Sequence, residues 1–314
     1  MPDRRLVLLA CLLVLACALF LVWGLKGRVG FILELRSIKL AALLCVGAAV
    51  GISTVVFQTV TGNRILTPAI MGFDALFLLM QTGLVFLLGG FGYLSLAGPA
   101  KFLLETVVMM AAAMALFSLL LGRGKHDMHR MILVGVIFGV FFRSLTGFLQ
   151  RVIDPSEYSV VQGAMFASFG SVDPAQLFFA GAVTLAALAV LARLAGTLDV
   201  VALGRSTAIG LGLAYDRLVI ALLAVTAALV SVSTALVGPI TFLGLLVAAL
   251  AHALMRSHRH AVLLPASAMI AATVLVAGQW LFERVLHLQS TLAVIIEFFG
   301  GTFFLFLVLK GRIR

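Results

Sequence analysis

The sequence predicts an all-α membrane protein, a polytopic bundle of about ten transmembrane helices with both termini in the cytoplasm. Three observations carry that reading. The composition is apolar and charge-poor, the chain divides into runs long enough to cross a bilayer, and the basic residues fall unevenly between those runs. Of 314 residues, 63% are hydrophobic and 11% charged, against about 45–50% and about 25% in soluble globular chains. So little polar surface excludes an ordinary soluble enzyme. The net charge of +10 would point to a nucleic-acid partner in a soluble protein. Here Lys and Arg sit between apolar runs, so the charge is read as a topology signal. Residues 1–314 read as a single transmembrane domain.

A spanning helix needs about 20 mainly apolar residues. The run Leu6–Leu25 follows Arg4-Arg5 and lacks a small-residue cleavage site, so it reads as a retained span rather than a signal peptide. Further runs lie near 40–60, 69–90, 102–121, 131–150, 176–195, 217–236, 240–255, 262–282 and 291–309. Gly238-Pro239 interrupts the apolar pattern before the 240–255 run. That break predicts either two helices meeting in a tight turn or one broken helix lining a cavity. Cys11, Cys17 and Cys45 lie in apolar stretches without a CxxC pair and read as small buried hydrophobes.

Basic residues on cytoplasmic loops orient such a bundle. With the N-terminus inside, the inner segments hold Arg4, Arg5, Arg64, Arg123, Lys125, Arg130, Arg193, Arg205, Arg217, Arg256, Arg259, Lys310, Arg312 and Arg314, which is 14 of 22. Lys26, Arg28, Arg36, Lys39, Lys101, Arg143, Arg151 and Arg284 remain. The first four gather on the outer side after the first span, where the rule expects few.

Two connections are long. The outer segment 151–175 is too apolar at its centre for a plain loop and too short to span, so a surface-lying or re-entrant helix is expected near Val160–Phe169. The inner segment 194–217 places Val200, Leu203, Thr207 and Leu211 at helical spacing, punctuated by Gly204, Gly210 and Gly212. A short amphipathic helix presenting an apolar face, to a partner or to headgroups, is expected there.

Charges inside spans are few: Asp74, Glu105, Arg143 and Glu297. Such groups mark pathways or are paired structurally. His126 and His129 with Asp127, and His252, His258 and His260, resemble metal spacings only loosely, and neighbouring arginines oppose a cation; His287 stands alone. No metal site or cofactor is expected. GxxxxGK[ST], HExxH and GxSxG are absent. The chain therefore reads as no enzyme, and any ATP-driven step belongs to another subunit.

From about residue 33 onward the segments resemble the permease subunits of bacterial ABC importers for iron–siderophore complexes and cobalamin. Leu35-Arg36-Ser37-Ile38-Lys39-Leu40-Ala41-Ala42 is similar to the family's RLPR-x-LAA entry to the second helix, with Lys39 for the second Arg. Gly47 to Gln58, then Gly62-Asn63-Arg64-Ile65-Leu66-Thr67-Pro68, resembles its G…Q…xNPLAxP block. Ala202-Leu203-Gly204, Ala208 and Leu211-Gly212 match the ALGE-x-x-A-x-x-LG segment, with Arg205 for the usual acid. Gly238-Pro239-Ile240-Thr241-Phe242-Leu243-Gly244-Leu245 looks like GPIxFxGL. Ala248-Ala249 then replaces the family's PH, and His252 its Arg. Leu264-Pro265 and Gly300-Gly301 with Lys310 fall at comparable places. The stretch Asn63–Asp74 looks most like the catecholate-siderophore branch.

The resemblance implies ten helices per permease, a second permease, commonly a different chain in that branch, and two cytosolic ATPase subunits. It also implies a periplasmic or lipid-anchored binding protein that delivers a ferric siderophore to the bacterial cytoplasmic membrane. Val201, Ala202, Leu203, Gly204, Arg205, Ala208, Leu211 and Gly212 would couple to the ATPase. Arg36, Lys39 and Arg284 would dock the binding protein. The rivals are an ion-coupled secondary transporter and a related permease for cobalamin or haem.

Overall fold

The computed structural model describes residues 2–25, 27–96, 98–121, 128–170, 172–286 and 292–309. Thirteen α-helices follow in chain order: α1 (Pro2–Val22), α2 (Val29–Thr61), α3 (Asp74–Ser95), α4 (Gly98–Leu121), α5 (Met128–Val152), α6 (Pro155–Ala164), α7 (Pro174–Arg193), α8 (Ala195–Val201), α9 (Arg205–Gly210), α10 (Tyr215–Val237), α11 (Leu243–Met255), α12 (His260–Trp280) and α13 (Leu292–Leu309). Among the described residues eight helical segments are long and apolar enough to cross a membrane, and two shorter apolar helices, Leu243–Met255 and Leu292–Phe303, accompany them. These ten agree with the expected architecture.

The bundle is organised around α2, which is buried along most of its length between α10, α11 and α12. Gly47 and Gly51 form a small-xxx-small step that brings the α2 backbone onto α12. A Cβ on Gly47 would fall 2.8 Å from the Ala272 nitrogen, and one on Gly51 would fall 2.6 Å from the Ser267 carbonyl oxygen. Lipid tails are as apolar as the helices, so association within the membrane rests on close packing of this kind. The residues that fill around it (Leu43, Val46, Val56, Phe57, Leu222, Leu229, Leu275) are almost fully buried. Helices α1, α5 and α7 lie at the periphery and expose wide apolar faces.

Two stretches leave helical geometry inside this bundle. Between α2 and α3 the chain runs through Arg64–Pro68 and then a π-helical turn, Ala69–Phe73, in which Gly72 adopts φ 100°. Gly72 lies against Gly139, and Met71 against Gly135, both on α5; these glycines let the turn seat deep in the membrane. The second break, residues 238–242, separates α10 from α11, with Gly238 at φ 98°. Helix and cavity readings of the Gly-Pro break are thus both realised. Irregular backbone at this depth is tolerated where protein or a water-filled cavity surrounds it. The two breaks face one another across a small cavity of about 30 Å³ lined by Thr54, Thr67, Pro68, Asp74, Ser233 and Thr241.

The outer connection differs from its expected form. The helix there is α6, Pro155–Ala164, which starts earlier than Val160 because Asp154-Pro155 sets its first turn. Beyond it the chain dips inward without helix. The Ser168 amide donates to the Val237 carbonyl at 2.7 Å, and Ala167 seats against Gly238. Phe169 is buried as a consequence. Glu157 on α6 in turn accepts from the Gly90 amide at 3.0 Å, beside Gly89, where α3 departs from helix at φ 71°.

Because Gly51 meets backbone rather than a flexible side chain, Gly51→Val forces α2 and α12 apart. The expected cost is about 1–3 kcal/mol, read as a lowered unfolding temperature of the purified protein in detergent, with Gly83→Val, which meets open space, as the tolerated control.

Candidate functional site

On the inner side, the segment expected to carry one amphipathic helix forms two short ones, α8 and α9, joined at Ala202–Gly204. Gly204 adopts φ 91° and Gly212 φ 86°, conformations that side-chain-bearing residues rarely take, so both glycines are required by the turns. The expected coupling residues divide into two sets. Val201 and Ala208 point inward and are buried, 2% and 0% exposed, anchoring the element on the bundle. Ala202, Leu203, Gly204, Arg205, Leu211 and Gly212 are exposed. Leu203 and Leu211, 60% and 61% exposed, with Ile209, present apolar surface beyond the membrane-spanning helices. Arg205, standing where the related segment has an acid, pairs with Asp216 at the start of α10: Nη2 lies 3.2 Å from Oδ2 and Nε 3.3 Å from Oδ1.

The element is tied to the membrane core by a contact that sequence reading did not single out. Asp199 on α8 accepts from the His260 amide at 2.7 Å, and its Oδ1 lies 2.7 Å from His260 Nδ1. His260 Nε2 is 2.7 Å from the Thr59 hydroxyl on α2. One buried imidazole thus joins α8, the first turn of α12 and the inner end of α2. Its chemistry was visible as a histidine among arginines, but its partners lie 61 and 201 residues away. No local spacing encodes them.

The histidines His252, His258 and His260 line a polar cleft of about 530 Å³ together with Gln58, Asn63 and Arg64. Among the described residues no group of three or more His, Cys, Asp or Glu is placed to hold a metal ion. His126, Asp127 and His287, with Lys26, Arg123, Lys125, Lys310, Arg312 and Arg314, lie outside the described residues, as do the side chains of His129 and Arg130.

On the outer side the three expected docking cations have different surroundings. Arg36 is 6% exposed. Its Nη1 donates to the carbonyls of Leu21 at 2.6 Å and Trp23 at 2.9 Å, at the C-terminal end of α1. A cation there satisfies carbonyls that the helix leaves open and meets the negative end of its dipole. Lys39 forms an ion pair with Glu283, which also accepts from Gln279 at 2.7 Å. Arg284 follows Glu283 in the π-helical turn Leu281–Val285 and is partly exposed. Two of these outer cations, Arg36 and Lys39, are therefore used within the chain. The same holds for Lys101, whose Nζ lies over the Tyr93 ring and 3.8 Å from Glu105, while Glu105 accepts from Gln81 at 2.7 Å.

This architecture matches known proteins. A family model for the FecCD transport family covers residues 6–310. The chain belongs to the FecCD transport family. Among its relatives, the petrobactin import system permease protein YclO of Bacillus subtilis is 40% identical over 98% of each chain. FatC, the petrobactin import permease of Bacillus anthracis, is 32% identical over 90% of this chain and 79% of its own. The solved structure of an inward-facing metal-chelate type ABC transporter superposes with a TM-score of 0.85, covering 99% of this chain and 100% of that one, at 22% identity; at that identity the match speaks for the fold. The chain is thus a multi-pass permease subunit and not itself an enzyme. FecCD membership carries with it ATPase and binding-protein partners and a second permease.

Substituting Asp199→Asn removes the charge from the α8–α12 contact, and charged hydrogen bonds of this kind contribute about 1.5–3 kcal/mol. The expected result is ATP hydrolysis retained with transport reduced about tenfold or more, measured side by side in proteoliposomes carrying the whole transporter.

Proposed function

We propose that this chain is the permease of a binding-protein-dependent ABC importer that moves a ferric siderophore of the catecholate class across the bacterial cytoplasmic membrane by ATP-driven alternating access. The observation that carries the reading is the α8–α9 element. It presents exposed Leu203, Ile209 and Leu211 on the cytosolic side while Val201, Ala208 and Asp199 fix it to α2 and α12. Exposed leucines held on a rigid mount fit a protein cleft better than water. Two cytosolic ATPase subunits occupy that role, one per permease, and closure of their nucleotide-bound dimer moves the mount and the helices joined to it as rigid bodies. The cargo assignment draws on the two relatives named as petrobactin permeases. The second permease is a different chain of similar fold.

The outer face receives a periplasmic or lipid-anchored binding protein. Arg284 supplies the cation that meets a carboxylate on that protein, with Lys39 held beside it by Glu283 and Arg36 holding the end of α1 in place. Exposed ion pairs add little affinity but orient the encounter. Reversing Arg284 to Glu is expected to weaken docking of the binding protein about fivefold, the equivalent of about 1 kcal/mol, with permease assembly intact. Surface plasmon resonance on nanodisc-embedded transporter reads this, and unaltered affinity removes Arg284 from the interface.

Uptake of radio-iron-labelled ferric petrobactin into energised cells tests the whole reading. Uptake is expected to survive collapse of the proton gradient and to stop on ATP depletion. The reverse pattern identifies an ion-coupled carrier, and uptake of labelled cobalamin or haem in place of the ferric chelate moves the cargo. Leu203→Asp, which puts a charge into the apolar contact, is expected to abolish uptake while leaving the permease in the membrane at wild-type level on immunoblots.

A further inference from the structure

The membrane interior of this chain holds a group of charges that neither the coupling element nor the outer face uses. Arg143 lies at the centre of the apolar span Leu133–Val152 and is exposed. Its Nε donates to the Gly139 carbonyl at 3.3 Å, within its own helix. Among the described residues, no carboxylate comes within ion-pair distance of the guanidinium, which lies along the Gly139 side of α5, one terminal nitrogen 3.5 Å from where a Cβ on Gly139 would stand. Asp74, at the first residue of α3, is within Coulombic reach of Arg143 and accepts from the Thr241 hydroxyl at 2.7 Å. Glu297 on α13 approaches the same hydroxyl. Both carboxylates are partly exposed.

The backbone around these groups is unusual in the same place. Asp74 follows the π-helical turn Ala69–Phe73, and Thr241 lies in the non-helical stretch between α10 and α11. Two broken helices therefore converge at membrane depth on a hydrogen-bonded acid, beside an arginine on a third helix and an acid on a fourth. Discontinuous helices meeting mid-membrane build binding sites in other transporters. An ionised arginine at mid-span does not remain against hydrocarbon; it faces protein or water. Helix α5 packs on α3, on α4 and on the π-helical turn before α3, and Val136, Val140 and Arg143 are exposed along the edge of the face where Gly139 meets Gly72. On α13, Phe298 and Phe299 flank Glu297 and are exposed as well.

We propose that this face lines the translocation pathway and that Arg143 is a cargo-contacting residue, selective for an anionic metal chelate. A ferric ion bound by deprotonated catecholate oxygens carries net negative charge distributed over its oxygen shell. A guanidinium with free donors recognises such a shell by charge and by paired hydrogen bonds. Asp74 and Glu297 keep the chelate from settling permanently. Both acids meet at the Thr241 hydroxyl, so where they are ionised an anion is attracted at the arginine and repelled beyond it, and a contact that releases its cargo is what conduction requires. The exposed phenylalanines offer apolar surface to the organic part of the ligand.

This inference rests on the ferric-siderophore reading, and its test keeps the two apart. Complete transporter, with binding protein and ATPase, is reconstituted as wild type, Arg143→Lys and Arg143→Gln. Uptake of radio-iron-labelled ferric petrobactin and ATP hydrolysis stimulated by cargo-free binding protein are measured in the same vesicles. Arg143→Gln is expected to lower uptake at least about tenfold, Arg143→Lys to retain most of it, and all three to hydrolyse ATP alike. Wild-type uptake in Arg143→Gln overturns the proposal. So does a parallel loss of ATP hydrolysis, which assigns Arg143 to assembly with the second permease. Absence of uptake by the wild type itself defeats the cargo reading instead.

Discussion

The fold depends on a backbone-to-backbone contact between α2 and α12. Gly47 and Gly51 leave no room for a side chain against Ala272 and Ser267, and in a bilayer such proximity replaces the hydrophobic drive that water supplies elsewhere. With those two helices fixed, α10 and α11 close on the other sides of α2, and the inner ends of α2 and α12 come close enough for Thr59 and His260 to share a hydrogen bond. The α8–α9 element is attached at that shared point. A displacement delivered to α8 therefore enters the bundle at its most tightly packed pair, where it is passed on as rigid motion rather than absorbed.

Among the described residues, several charged groups are satisfied by the protein itself. Arg36 closes the end of α1, Glu157 steadies the irregular turn of α3, and Lys101 with Glu105, Gln81 and Tyr93 ties the outer ends of α3 and α4. The groups around Thr241 are the exception, since they keep exposed edges at mid-membrane.

Much of this was legible in the sequence, and the reasons are physical. Long apolar runs had to be helices because the bilayer permits little else, so spans such as 262–282 and 176–195 fall within a few residues of α12 and α7. Gly238-Pro239 announced a break because neither residue continues a helix there. Gly204 and Gly212 announced turns through their need for positive φ. Other features were hidden because they depend on pairing across the fold. Arg36 looks like a surface cation from its neighbours Glu34 and Ser37; only the return of α1 alongside α2 buries it. The Asp199–His260–Thr59 contact joins three distant segments. The start of α6 was displaced because its apolar centre serves the inward dip at Ala167 and Phe169 rather than a helix face.

Helix α1 has a further consequence, for the order in which the molecule is made. Most of α1 faces outward, and polar bonds hold it at both ends: Arg36 grips the carbonyls at its outer end, while Arg5 at its inner end donates to the Leu254 carbonyl. The outer bond spans 13 to 15 residues and can close as soon as α2 enters the membrane. The inner one spans 249 residues and must wait until α11 has been synthesised. During translation α1 is thus a hinged strut, fastened at the outer leaflet and free at the ribosome side. The arrival of α11 supplies the partner for its inner end, and α12, which packs along α1 and α2, follows it.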